Sequence, residues 1–243
     1  MPRGHEDYGA GQANVLISQV KDQGELAARL GSPVTLERSG NVVRQDNFST
    51  GLGNWSQGTG GTGASVTINS VTSWSAGQCC QLKGGSDGTR EAMIIRYGPS
   101  IRTGVVGLGL FVEHVQNCQY FEIQLFKRTP TERDEAYLYF DIVGEEIKII
   151  DQAGATQVVG TFDAGIFTIS YWHYVKLVVD FSENLYRKLI FDDLVYDLSD
   201  HGLYVLAPLA SQTIKQQIRA YSVLGSNGYL RIDDVVFTIN EPL

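Results

Sequence analysis

Along residues 173–181, HYVKLVVDF, side chains alternate between two sides of an extended chain. His173, Val175, Leu177, Val179 and Phe181 fall on one side, and Tyr174, Lys176, Val178 and Asp180 on the other. A period of two describes a strand with one face against a core, not a helix. SEN then supplies turn chemistry and LYRKLIF resumes the extended pattern, so the stretch predicts a β-hairpin in which His173 is a core-facing structural histidine.

From about Asn41 onward the chain keeps to this pattern. NVVRQDNF, ASVTINSV, QCCQLK, EAMIIRY, VVGLGLFVEHV, YFEIQLFK, AYLYFDIV, EIKIID, TQVVGTF, IKQQIRAYSVL and YLRIDDVVFTI are further candidate strands, separated by turn signals such as GGTG, GGSDG and GSNG. Many short strands at this spacing predict an all-β, two-sheet antiparallel sandwich. SQGTGGTGAS reads as a loop within it; it has neither the Lys-Ser/Thr ending nor the following helix of a phosphate cradle. The first 44 residues differ. They show little periodicity apart from DQGELAARLG, a short predicted helix with Asp22 as N-cap and Gly31 just past its end. The expected division is an N-terminal extended arm with one short helix over residues 1–44 and a sandwich over residues 45–243.

Composition narrows the partners. The 243 residues are 43% hydrophobic and 19% charged, ordinary for a globular domain. A net charge of −8 argues against nucleic acid, whose phosphates need a basic footprint. No apolar run is long enough to cross a bilayer, and MPRGHEDYGAG lacks the apolar core of a signal peptide, so neither membrane insertion nor signal-directed export is expected. Cys79, Cys80 and Cys118, an odd number with an adjacent pair and no CxxC, predict buried thiols and neither a disulfide framework nor a thiolate metal site.

Catalytic patterns are hard to find in this sequence. Glycoside hydrolysis uses two carboxyl groups, yet no strand carries acids at i, i+2 and i+4. In YFEIQLF, Glu122 is followed by the amide Gln124, and Glu132 and Asp134 fall in RTPTERDE, which reads as a hairpin loop. The four histidines are scattered and no G-x-S-x-G elbow occurs. No catalytic residue is assigned, and the expectation is that the protein is not an enzyme.

A binding face is easier to find. Tyr120, Glu122 and Gln124 share one face of their strand, and Tyr137, Tyr139 and Asp141 share one face of the next. Gln217, Arg219 and Tyr221 would join them if their strand lies in the same sheet. Tyrosines beside carboxylates, amides and arginine suit a sugar, whose C–H faces meet the rings and whose hydroxyls meet the polar groups. The same set suits a protein interface, and an ordinary solvated sheet face is also rich in tyrosine.

Three stretches together resemble the concanavalin A-like lectin/glucanase superfamily, particularly its laminin-G-like and carbohydrate-binding relatives. DNFSTGLGNW (Asp46 to Trp55) resembles the opening strand and turn, YWHYVKLVVDFSENLYRKLIFDDLVYDLS the Trp-His hairpin with a short following strand, and YLRIDDVVFTI the closing strand. The resemblance implies a jelly roll whose closing strand pairs with its opening one. It also implies a structural calcium near those strands, for which Asp46 with Asp233 or Asp234 is the expected ligand set; no other cofactor is expected. The start MPRGHEDYG, the GELAARLG helix and a following lectin-like body are similar to virion structural proteins of tailed phages. That likeness implies a capsid-decoration or tail-associated protein on a particle surface, assembled in a host cytoplasm, whose residues 1–44 contact other copies and other particle subunits. The expected function is therefore a non-enzymatic structural protein of a phage or virus-like particle, then a carbohydrate-binding or adhesion module with a glycan partner, then a divergent glycosidase.

Overall fold

The computed structural model describes residues 40–75, 77–99, 104–163, 165, 171–208 and 212–242. In chain order its strands are β1 (Asn41–Asp46), β2 (Ser56–Gly60), β3 (Ser65–Asn69), β4 (Cys79–Lys83), β5 (Glu91–Pro99), β6 (Val105–Gln116), β7 (Cys118–Arg128) and β8 (Arg133–Asp141). They continue with β9 (Glu146–Ile150), β10 (Thr156–Thr161), β11 (His173–Asp180), β12 (Leu185–Phe191), β13 (Leu194–Asp197), β14 (Tyr204–Val205), β15 (Thr213–Ser222) and β16 (Tyr229–Ile239). Sheet A runs β13-β12-β11-β6-β16-β4-β3 with β1 also on β16; sheet B runs β10-β9-β8-β7-β15-β5-β2 with β14 on β8. Every strand pair described is antiparallel.

The alternation seen in the sequence puts one set of side chains between the sheets. Leu108, Leu110 and Val112 of β6 and Val175, Leu177 and Val179 of β11 are fully buried, as are Phe121, Ile123 and Leu125 of β7 and Leu138 and Phe140 of β8. Each contributes roughly 1.5–3 kcal/mol of burial free energy. Phe140 meets Phe191 of sheet A with ring centroids 5.2 Å apart. The Tyr186 hydroxyl crosses from sheet A, accepting from the Tyr137 amide at 2.9 Å and donating to the Ile150 carbonyl at 2.8 Å. The predicted hairpin is β11–β12. His173 is buried on the core side, with Nδ1 2.7 Å from Asp192, whose other carboxylate oxygen accepts from the Tyr174 amide.

Strand β16 lies at the middle of sheet A. Along one edge it pairs with β6; along the other it pairs with β4 over Tyr229–Ile232 and then with β1 over Val235–Ile239. Asp233 and Asp234 occupy the junction, where the register with β6 shifts and Asp234 takes φ +44°. The opening and closing strands are therefore neighbours, as the sequence implies.

The sandwich's first strand starts at Asn41, where the sequence pattern places it. Several expectations need correction. The predicted helix and most of the 1–44 arm lie outside the described residues. Ser56–Gly60, expected as loop, is the edge strand β2, paired with β5. It has almost no apolar signal because its glycines accommodate the neighbour: a Cβ on Gly58 would come within 2.8 Å of the Met93 methyl. Strand β8 starts at Arg133, so Asp134 and Glu135 are strand residues and not part of the hairpin loop. The three cysteines are free and buried, and burial holds the Cys79 and Cys118 thiols up to about 12, which leaves them unreactive.

Candidate functional site: the outer face of sheet B

Side chains of sheet B that point away from the core form rows across β5, β15, β7 and β8. One row is Glu91, Tyr221, Tyr120 and Asp141, and the next is Met93, Arg219, Glu122 and Tyr139. A third holds Ile95, Gln217, Gln124 and Tyr137; the fourth holds Tyr97, Lys215, Phe126 and Glu135. All nine residues assigned to a binding face in the sequence are thus on one face. The condition on Gln217, Arg219 and Tyr221 is met because β15 lies directly beside β7.

The tyrosines touch one another. Tyr120 stacks on Tyr221 with centroids 4.2 Å apart, meets Tyr139 at 6.3 Å, and Tyr139 lies parallel to Tyr137 at 6.2 Å. Phe126 extends the band from Tyr137 at 5.2 Å, and the Lys215 ammonium sits 4.6 Å from its ring centroid. All four tyrosines are half-buried, so the band has one solvent side.

Glu122 lies at the centre of the band and is almost fully buried. Its carboxylate accepts from the Gln124 side-chain amide and lies 3.7 Å from the Arg219 guanidinium, which also lies 3.6 Å from Glu91 and donates to the Tyr221 hydroxyl at 2.5 Å. Burial outweighs these contacts and, with Glu91 nearby, pushes Glu122 up to about 7. It therefore changes protonation near neutrality. Burial also lowers Lys215 to about 8, helped by Arg128 and Arg219. Gln217 is fully buried beneath the band and both its side-chain polar atoms lack a partner.

Sequence reasoning missed Glu91, Phe126, Glu135 and Lys215. Glu135 accepts from the Tyr137 hydroxyl and pairs with Arg133 at 2.7 Å. The period of two carried back from Tyr137 finds it, once the strand is known to begin before Ala136. The acids also group across strands, with Glu91 from β5 and Glu122 from β7 on either side of Arg219, where a search along single strands does not see them.

Asp46, Asp233 and Asp234 lie elsewhere, on sheet A. The Asp46 carboxylate accepts from the Phe48 amide and the Trp55 indole, both at 2.9 Å. Asp233 accepts from the Trp74, Ser75 and Asp234 amides and the Ser75 hydroxyl. Burial, then the neighbouring Asp233, pushes Asp234 up to about 6. Carboxylates saturated by N–H donors do not fit a calcium ion, which needs six to eight oxygens free to turn toward it. No group of three metal-ligating side chains occurs among the described residues.

No family model matches the chain, and no curated protein matches it in sequence. Solved structures do match in shape. An endo-β-1,4-glucuronan lyase from the fungus Trichoderma reesei aligns with TM-score 0.57 at 10% identity over 82% of this chain and 96% of its own. A sialidase aligns with TM-score 0.55 at 14% identity; the match takes in 86% of this chain but spans only 19% of the sialidase. A carbohydrate esterase from the Shiga toxin-encoding bacteriophage phi24B aligns with TM-score 0.52 at 13% identity over 83% of this chain and 100% of its own. The fold is a two-sheet antiparallel jelly-roll sandwich.

That result corrects the expectation that the protein is not an enzyme. A lyase and an esterase chain share this fold over nearly their whole length, so a missing run of alternating acids does not exclude catalysis on it.

Proposed function

We propose that the outer face of sheet B binds a carbohydrate chain. The observation that carries the reading is the half-buried tyrosine band in unbroken ring contact, with Glu122 and Arg219 at its centre. The rings offer apolar faces to pyranose C–H groups, and the carboxylate, guanidinium and phenol groups match hydroxyls. The named activities of the glucuronan lyase and the phage carbohydrate esterase support this reading, because both act on carbohydrate. Titration of the protein with a panel of neutral and uronic-acid oligosaccharides, followed by calorimetry, tests it. Tyr139→Ala is expected to weaken binding by about tenfold or more while circular dichroism stays unchanged. A folded wild-type protein that binds none of the panel overturns it.

A processing step at the same face is the second reading, favoured by the near-neutral Glu122, a group able both to give and to take a proton. Glu122→Gln would then abolish product formation and leave saccharide affinity within a few-fold of wild type. A place for the protein on a phage or virus-like particle, with residues 1–44 as its contact to other subunits, is a further proposal that rests on the resemblance of MPRGHEDYG and GELAARLG to tailed-phage virion proteins. Co-sedimentation of the protein with particles, lost when residues 1–39 are removed, is the expected result.

A further inference from the structure

We infer that the opposite side of the sandwich holds a second saccharide pocket, independent of the sheet B face. It lies between the loop after β3 and strand β6, has a volume of about 590 Å³, and is lined by Ser70, Thr72, Ser73, Glu113 and Trp172 among others. That volume falls within the usual range for small-ligand sites.

The loop wall is built and held at both ends. Asn69 closes β3 and its side-chain oxygen accepts from the Val71 and Thr72 amides at 2.9 and 3.3 Å, turning the chain outward. The Ser73 hydroxyl accepts from the Gly77 amide at 2.8 Å. Asp233 of β16 anchors the middle, accepting from the Trp74 amide at 2.9 Å and from the Ser75 amide and hydroxyl at 2.9 and 3.0 Å. Trp74 is thereby laid on Phe111, centroids 4.3 Å apart. Trp74 and Trp172 both pack against the cluster of Phe111, Tyr174 and Ile190, which sets the Trp172 indole on an apolar base at the pocket wall.

The polar groups are placed differently. One Glu113 oxygen is held by Arg231 at 2.9 Å, and Arg231 reaches Gln81 at 3.4 Å, which in turn accepts from Asn69 at 3.1 Å. This chain of contacts fixes Glu113, while its second oxygen takes no hydrogen bond among the described residues. The buried Thr72 hydroxyl has no partner among the described residues either. An aromatic wall, a fixed carboxylate with a free oxygen and an unpartnered hydroxyl match the two surfaces of a neutral pyranose: C–H groups for the indole, and adjacent hydroxyls for Glu113 and Thr72. Among the described lining residues none is a cation, and Arg231 behind them is already paired with Glu113, so an anionic ligand is disfavoured.

The three indole N–H signals of ¹⁵N-labelled full-length protein provide the test, titrated with glucose, galactose, mannose, N-acetylglucosamine and their β-linked disaccharides. Trp172 is expected to shift saturably with at least one sugar, while Trp55, whose indole is tied to buried Asp46, stays still. Glu113→Gln and the isosteric Thr72→Val should each weaken that response by about tenfold. Tyr139→Ala should leave it intact, separating this pocket from the sheet B face. No saturable Trp172 shift with any sugar overturns the inference, as does a shift that Glu113→Gln and Thr72→Val leave unchanged. A response lost only in Tyr139→Ala overturns it too, and leaves the first reading standing.

Discussion

On the outer face of sheet A, the Lys176 ammonium meets Glu241 at 2.9 Å with both side chains almost fully buried, and Thr238 donates to the same carboxylate. On the outer face of sheet B, Gln217 is equally buried but unpartnered, and Glu122 is held where it half-ionises near neutral pH. The first arrangement is made possible by the GLG of β6. A Cβ on Gly107 would come within 2.8 Å of Glu241 and 3.0 Å of Lys176, so glycine there opens the trench in which the pair lies. The difference separates two uses of buried polarity. Paired groups hold the sheet; groups left short of partners cost stability, and on sheet B they lie where the proposed saccharide would meet them.

The comparison breaks most easily at the pair. Glu241→Ala leaves the buried Lys176 ammonium without this carboxylate and is expected to destabilise the protein by about 3–5 kcal/mol, read from denaturant midpoints. A loss below about 1 kcal/mol would show that the pair does not hold sheet A.

A smaller effect comes from pH. Glu122 is raised above its unfolded value, so between about 4.5 and about 7 the folded state holds the extra proton, and stability falls as pH rises through that window. The fall attributable to Glu122 should be on the order of 3 kcal/mol. Asp234 adds the same sign from 3.8 to about 6. In Glu122→Gln the decline should therefore stop near pH 6, the upper end of the Asp234 window; a decline that still runs to about pH 7 would assign it to another group.

The smallest effect sharpens the contrast. Gln217→Leu removes two unsatisfied polar atoms at similar volume and should leave stability equal or up to about 1 kcal/mol higher. A clear loss would mean that the amide serves the fold after all.

The sequence is most legible where one period governs. Alternation in residues 120–125 and 137–142 assigns both faces of β7 and β8, since each side chain's direction depends only on its own strand. It fails at β2, where Gly58 and Gly60 carry no apolar signal because the neighbouring strand fills their space. It fails again for the site's chemistry. The proton affinity of Glu122 depends first on its burial by neighbouring strands and then on Arg219 and Glu91, brought from β15 and β5 by register alone. The acids Asp233 and Asp46 look like metal ligands in sequence because nothing local shows that backbone amides and an indole already claim them.

The position of β16 bears on how the chain is made. It touches β6, β4 and β1, so sheet A has a gap at its centre until residues 229–239 emerge from the ribosome, after the fifteen described strands that precede them. Until then β1 lacks the strand it pairs with, and the inner edges of β4 and β6 are open to other chains. Biosynthesis of this protein is therefore exposed to misassembly until β16 emerges, and a nascent chain arrested before Tyr229 should bind chaperones that release it once β16 is translated.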